Sequence, residues 1–295
     1  MNRVHGFTLV ELAVALLIIG LLFASALIPL SAQVEVRNIA DTKRTMDQIK
    51  EAIIGFAQAN GRLPCPANGA LPAGTSGSGT EVSIGSSCDP AFGVFGVVPW
   101  ATLAVPETDA WGRRFSYRVA PAFADAIGTT WESNASTSPP SAGSQTTTTP
   151  CSPTPTPTQS SFALCTLGDI AVYTRSVSAT AAVPMGSALA AVFISHGKNG
   201  YGAWQTNGIR LNPLPANNDE ASNVNGTTPA PMASGIGYTQ RAFFSRDPTP
   251  SSTGCTDPAP GAAGTGSPLC EFDDIVYMIS GPALIGRMVS AGRLP

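Results

Sequence analysis

The chain has 295 residues, of which 12% are charged, and its formal net charge is −3. This mild balance contains no basic stripe, which argues against nucleic acid as the main partner. The 30 glycines and 26 prolines indicate many turns and loops.

The first 30 residues combine a short leader with a long apolar run. Residues 1–6 contain Arg3, and residues 7–30 carry no charged side chain except Glu11. A helix of this length spans about 30 Å of hydrocarbon at about 1.5 Å per residue, which predicts a single membrane-spanning helix. The basic leader places the N-terminus on the cytoplasmic side. The plausible cleavage site, after Gly6, precedes the apolar run, unlike that of a secretory signal.

Glu11 is the unusual residue of this segment. A carboxylate at the centre of a bilayer costs about 2.5–3.5 kcal/mol, and less near the interface. Cleavage before Phe7 would create an amine about one helical turn from Glu11. Opposite charges about 4 Å apart attract by roughly 4 kcal/mol at an effective dielectric constant of 20. Such a charge pair would be comparable to the cost of holding Glu11 in lipid, and the alternative is a tolerated interfacial acid.

The segment GFTLVEL at residues 6–12 resembles the N-terminal motif of type IV prepilins and pseudopilins. The resemblance implies that a prepilin peptidase cleaves after Gly6 and methylates Phe7. It also implies that Glu11 meets the N-terminal amine of a neighbouring subunit in a filament. The expected partners are other pilin or pseudopilin subunits, the peptidase and an assembly platform in the inner membrane. The alternative is a plain N-terminal anchor.

The helix is predicted to continue through residues 31–61. Its apolar positions recur at helical spacing and are Ile39, Met46, Ile49, Ile53 and Phe56. We expect this stripe to pack against the chain's own head. Gly61 is the predicted stop, and Pro29 is predicted to kink the helix.

Residues 62–295 are enough for one large head domain or one domain with long insertions. Strands are predicted at 93–100, 111–119, 169–177, 189–195, 241–245 and 272–280, followed by a helix at 282–289 that packs on the sheet. The predicted fold class is α+β, with the N-terminal helix packed on an antiparallel sheet. Residues 132–161 form a Ser/Thr/Pro-rich insertion that we expect to project as a loop. Residues 212–237 and 247–268 are predicted to be similar loops.

Six cysteines in a head beyond the membrane predict disulfides. Six cysteines allow fifteen pairings, and the sequence groups them as three local couples: Cys65 with Cys88, Cys151 with Cys165, and Cys255 with Cys270. Each couple brackets a loop rich in Gly, Pro or Ser. A metal site is disfavoured, because no C-x-x-C pair occurs and histidines are few.

Catalytic motifs are missing from the sequence. His196 follows Ser195 at the end of a predicted strand, where neighbouring side chains point to opposite faces, so Ser195 is a poor nucleophile for it. We expect His196 to hydrogen-bond locally and the protein not to be an enzyme. No cofactor is expected. Asp273 and Asp274, with Asp219 and Glu220, are weak calcium candidates without the spacing of a ligand loop.

The sequence predicts a minor pilin or pseudopilin of a type IV pilus or a type II secretion pseudopilus. Its head would lie outside the cytoplasmic membrane, in the periplasm or in a surface filament. Long loops are awkward to pack at every position of a filament, which favours a minor subunit. One alternative is a tip adhesin whose loops contact a ligand, and another is a membrane-tethered enzyme.

Overall fold

A long helix leads into a six-stranded sheet in the computed structural model of the protein. The structure describes residues 8–127, 159–164, 166–176, 181–211, 218–226, 228, 230 and 240–294, and it leaves the side chains of 22–32 undescribed. The elements are α1 (Leu9–Asn60), β1 (Ser83–Ile84), β2 (Ser87–Cys88), β3 (Phe95–Val97), α2 (Trp100–Leu103), β4 (Ser116–Val119), β5 (Ile170–Thr174), β6 (Val183–Ser195), α3 (Asn218–Asn225), β7 (Arg241–Phe244), β8 (Ile275–Ser280) and α4 (Gly281–Ser290).

The end of α1 is fixed by a glycine, as predicted. Gly61 adopts a left-handed conformation with φ of 72°, and its N–H donates to the carbonyl of Ala57 at 2.8 Å. A Cβ at this position would lie 2.2 Å from the backbone oxygen of Gln159. Both the backbone angle and the close approach therefore require glycine here.

The C-terminal half of α1 carries the predicted apolar stripe into the core. Met46, Ile49 and Ile53 are fully buried, and Ile39 and Phe56 are half-buried. Met46, Ile49 and Ile53 contribute to one core with β4, β5, β6 and α4. The predicted packing of this half-helix on its own head is confirmed.

The N-terminal half of α1 is exposed over residues 9–21. Among the residues that the structure describes, no helix is both long enough and apolar enough to cross a membrane. The predicted span 7–30 includes Phe7 and the side chains of 22–30, which lie outside the described residues. The helix continues across Pro29, whose side chain is among the undescribed ones, and the kink stays a prediction.

All six predicted strands occur in one sheet, in the order β3-β4-β6-β5-β7, with β8 paired to β6. The prediction of an antiparallel sheet is wrong for one pair, because β5 and β7 run parallel from Ile170 opposite Arg241 to Tyr173 opposite Phe244. The chain leaves β6, passes through α3 and reaches the free edge of β5, so that β7 takes the direction of β5. The β1–β2 hairpin forms a separate small sheet.

The prediction of loop structure at 212–237 is wrong at α3. This helix has no apolar stripe, and it is held by polar contacts instead. Asp219 is fully buried and pairs with Arg175 at 2.6 Å and with Arg246 at 2.8 Å. Asn223 donates to the carbonyl of Phe244 at 3.0 Å and accepts from its N–H at 2.8 Å. Buried polar groups need such partners, and these contacts position α3 beside β7.

The last helix, α4, packs on both α1 and the sheet. Leu284 and Met288 are fully buried, whereas Val289 is 42% exposed. Arg287 donates to Glu51 of α1 at 2.6 Å, and its carbonyl accepts from Gln58 at 3.1 Å. The predicted packing of this helix is confirmed, with α1 as an additional partner.

Two of the three predicted disulfides are present, Cys65–Cys88 and Cys255–Cys270. The third predicted pair, Cys151 and Cys165, lies outside the described residues. Most of the Ser/Thr/Pro-rich insertion, residues 132–158, also lies outside them.

Candidate functional site

The start of α1 holds Glu11 through Thr8. Thr8 caps the helix, its hydroxyl oxygen accepting from the N–H of Glu11 at 3.3 Å. In return, one carboxylate oxygen of Glu11 accepts from the N–H and from the hydroxyl of Thr8, each at 2.9 Å. This reciprocal arrangement is a capping box. It holds a negative charge beside the positive end of the helix dipole, and no described residue occupies the second carboxylate oxygen.

The surface around Glu11 is apolar and uncovered. Large side chains here are 47–85% exposed, namely Leu9, Val10, Leu12, Val14, Leu16, Leu17, Ile18, Ile19 and Leu21. Such a continuous surface is far larger than a monomeric soluble domain usually exposes. Exposed apolar surfaces of this size mark sites of contact with other proteins or with membranes. Gly6 and Phe7, the predicted processing residues, lie outside the described residues.

A second group of sequence-predicted residues meets where β6 ends and β8 begins. The imidazole Nε2 of His196 lies 2.8 Å from the hydroxyl of Ser116, and its Nδ1 lies 3.4 Å from a carboxylate oxygen of Asp274. The predicted local hydrogen bond of His196 is therefore wrong, since its partner lies on β4. Ser195 turns away and donates to Asp109 at 2.7 Å, as the alternation of a strand predicts.

Ser116, His196 and Asp274 are the residue types of a serine hydrolase triad. They also contact one another in the same succession, from the serine through the histidine to the aspartate. Their burial opposes that role, because the three residues are only 3%, 1% and 6% exposed. A nucleophile must reach the carbonyl carbon of a substrate, and Ser116 lies within β4, paired on both sides by β3 and β6. The sequence could not reveal this contact, because Ser116 and His196 are 80 residues apart.

The calcium candidates separate into two places. Glu220, Asp273 and Asp274 come together, with carboxylate oxygens within 4.8 Å of one another. Asp219 is engaged by arginines instead. The backbone N–H of Asn199 donates to Asp273 at 2.7 Å, and its side-chain amide donates to Glu220 at 3.0 Å.

The pKa values of Glu220 and Asp273 in this carboxylate cluster are raised, which favours their protonated forms. Burial, followed by the nearby Asp274 carboxylate, raises the pKa of Glu220 to about 8. Burial is also the main cause that raises the pKa of Asp273 to about 6. Like charges in a shared buried site repel, so one group retains its proton at neutral pH.

The cluster has three carboxylate side chains within metal-ligand reach of one another. Calcium takes about 6–8 oxygen ligands, and three side chains converge here. One oxygen of Asp274 already accepts from Asn223 at 2.8 Å, and one oxygen of Glu220 accepts from Asn199 and from the N–H of Asp273.

Comparison with known protein families gives a match at the N-terminus of the chain. Residues 1–27 match the family model described as the prokaryotic N-terminal methylation motif. This motif marks type IV prepilin- and pseudopilin-like proteins. It implies processing by a prepilin peptidase, membrane anchoring and assembly with other pilins. No curated protein and no solved structure gives a significant match to the chain.

Proposed function

We propose that the protein is a minor pilin or pseudopilin subunit that is cleaved between Gly6 and Phe7, methylated at Phe7 and assembled into a filament. Residues 7–30 span the cytoplasmic membrane before assembly, and the head lies on the far side from the cytoplasm. The observation that carries the proposal is the position of Glu11 at the start of an exposed apolar helix, within the residues that match the methylation motif.

The division of α1 supports this role. Its C-terminal half is part of the core of the head, and its N-terminal half offers an uncovered apolar surface. A subunit built in this way anchors in lipid when alone and packs against other helices when assembled. The carboxylate of Glu11 gains a cationic partner only in the second state, so the ion pair rewards assembly.

The N-terminus of the mature protein tests the processing step. Mass spectrometry of the protein from its native membrane should find N-methylated Phe7 as the first residue. A mature chain that begins at Met1, or beyond residue 30, would overturn the proposal. A Gly6→Ala variant controls for other proteases, because it should accumulate with residues 1–6 still attached.

A Glu11→Gln variant tests the assembly step. It should remain in the membrane fraction and fall at least about tenfold in sheared filaments, because an uncharged amide loses the ion pair worth roughly 4 kcal/mol. Glu51→Gln is the matched control, since Glu51 lies on the same helix and its side chain is 61% exposed. Equal incorporation of the Glu11→Gln variant and the control would contradict the role of Glu11.

We also propose that the buried Ser116–His196–Asp274 group stabilises the sheet and is not catalytic. A fluorophosphonate probe, which labels activated serines, should leave Ser116 unlabelled in the folded protein. Labelling that disappears in a Ser116→Ala variant would instead favour a membrane-tethered enzyme.

A further inference from the structure

The head contains a pocket of about 210 Å³ on the side of the sheet where α3 ends. Its lining is partly aromatic and partly polar, and the residues that carry the argument are Asn68, Phe92, Phe95, Trp204, Arg210 and Asn225. Pockets for drug-sized ligands measure about 300–1,000 Å³. A pocket of this size therefore suits a group of one ring.

Glycines set the aromatic wall of the pocket. A Cβ on Gly69 would lie 2.7 Å from the ring of Trp204, and one on Gly96 would lie 3.1 Å from the ring of Phe92. The two rings therefore pack directly on backbone. The wall is held in place by these contacts before any ligand arrives, which lowers the ordering cost of binding.

Arg210 gives the pocket a positive charge. Its guanidinium donates to the carbonyl of Gly202 at 2.8 Å and to that of Val224 at 2.7 Å, and its Cζ lies 5.6 Å from the centre of the Trp204 ring. Burial lowers the pKa of Arg210. Two carbonyls and a ring fix the side chain in place, but they do not neutralise its charge.

The buried arginines of the described head pair with carboxylates, whereas the half-buried Arg113, Arg210 and Arg293 donate to backbone carbonyls. Among the described residues, five arginines are buried and each lies 2.6–2.8 Å from a carboxylate oxygen: Arg62, Arg114, Arg118, Arg175 and Arg246. Arg210 has no carboxylate partner among the described residues. A partly buried guanidinium in a pocket wall, without a counter-charge, favours an anionic ligand.

Two amides complete the lining. The side-chain carbonyl oxygen of Asn68 accepts from the N–H of Ala70 at 2.9 Å. This bond does not use the NH₂ group of the amide, which can donate to a ligand. Asn225 is exposed at the rim, at the end of α3. Amides of this kind donate to and accept from hydroxyl groups.

We propose that this pocket binds the carboxylate-bearing sugar of an acidic polysaccharide or glycan. The C–H face of one pyranose ring packs on the aromatic wall, its carboxylate pairs with Arg210, and its hydroxyls bond to the two asparagine amides. This combination of an apolar lining with a few placed polar groups is typical of small-molecule sites. The proposal is independent of filament assembly, and each can fail without the other.

Ligand-observed saturation-transfer NMR on the full-length protein in detergent micelles tests the site. D-glucuronate should bind and D-glucose should bind at least about tenfold more weakly, because glucose lacks the group that pairs with Arg210. Arg210→Gln should lower glucuronate affinity by roughly tenfold or more. Arg44→Gln, on the exposed surface of α1, removes the same charge and should change nothing.

Asn225→Asp guards against loss of folding in the Arg210→Gln variant. Asn225 is exposed, so its substitution leaves the fold intact, and a new carboxylate at the rim should weaken glucuronate binding several-fold more than glucose binding, because both sugars lose the amide but only glucuronate is repelled. Equal affinity for the two sugars, or binding that survives both variants, would overturn the proposal. Preferential binding of a peptide with a C-terminal aromatic residue would also overturn it. That result would show that the pocket binds the C-termini of polypeptides.

Discussion

Glu220 should make the stability of the head depend on pH. The pKa of Glu220 is raised from 4.5 to about 8 in the folded protein, so between these values the folded state holds a proton that the unfolded chain has released. The contribution of Glu220 to the stability of the head is therefore fully present below about pH 4.5, and it falls as the pH rises towards 8. A shift of this size corresponds to on the order of 5 kcal/mol. Asp273 adds a loss of the same sign up to about pH 6.

A Glu220→Gln variant should remove most of this dependence, because the amide keeps a donor and cannot ionise. Guanidinium unfolding followed by tryptophan fluorescence, on the full-length protein in detergent micelles at pH 5 and pH 8.5, measures the effect. The wild type should lose several kcal/mol between the two pH values, and the variant should lose much less. Asp247→Asn, at an exposed position of the head, is the control and should follow the wild type. Parallel pH curves for the wild type and Glu220→Gln would refute the reasoning.

Three further predictions concern the same head. Added calcium should leave the unfolding midpoint at pH 7.5 unchanged, and a calcium-dependent rise that is lost in Glu220→Gln would assign a cation to the cluster. Replacing Cys65 and Cys88 together by Ala should cost about 3 kcal/mol, since their disulfide closes a loop of 23 residues, and chemical unfolding under non-reducing conditions checks this value. Ile49→Ala should cost about 2–5 kcal/mol, because Ile49 is fully buried, whereas Val36→Ala, at a position 68% exposed, should stay within about 0.5 kcal/mol.

The sequence predicts those features that depend on local patterns. The apolar stripe of α1, its stop at Gly61 and the six strands follow from periodicity and turn chemistry. The two observed disulfides join cysteines close in sequence. The N-terminal motif is equally local, and the family comparison confirms it over residues 1–27.

Features that depend on distant contacts were missed. α3 lacks an apolar stripe, and it is held by Asp219 through arginines 44 and 27 residues away. The His196 contact with Ser116 joins strands that only the folded sheet brings together. The parallel pairing of β5 and β7 depends on the path of a connection, which residue periodicity does not encode. The position of Arg210 in a pocket wall beside Trp204 is likewise recognisable only in the folded structure.

The contact between α1 and α4 has a consequence for biosynthesis. Glu51 and Arg287 are 236 residues apart, and β8, the neighbour of the central strand β6, also comes late in the chain. The ribosome therefore delivers the apolar stripe of α1 long before its cover. During that interval the apolar stripe of α1 is exposed on the nascent chain. Truncated products that end before residue 275 should therefore aggregate, and a chaperone that shields apolar surface would assist the full-length chain.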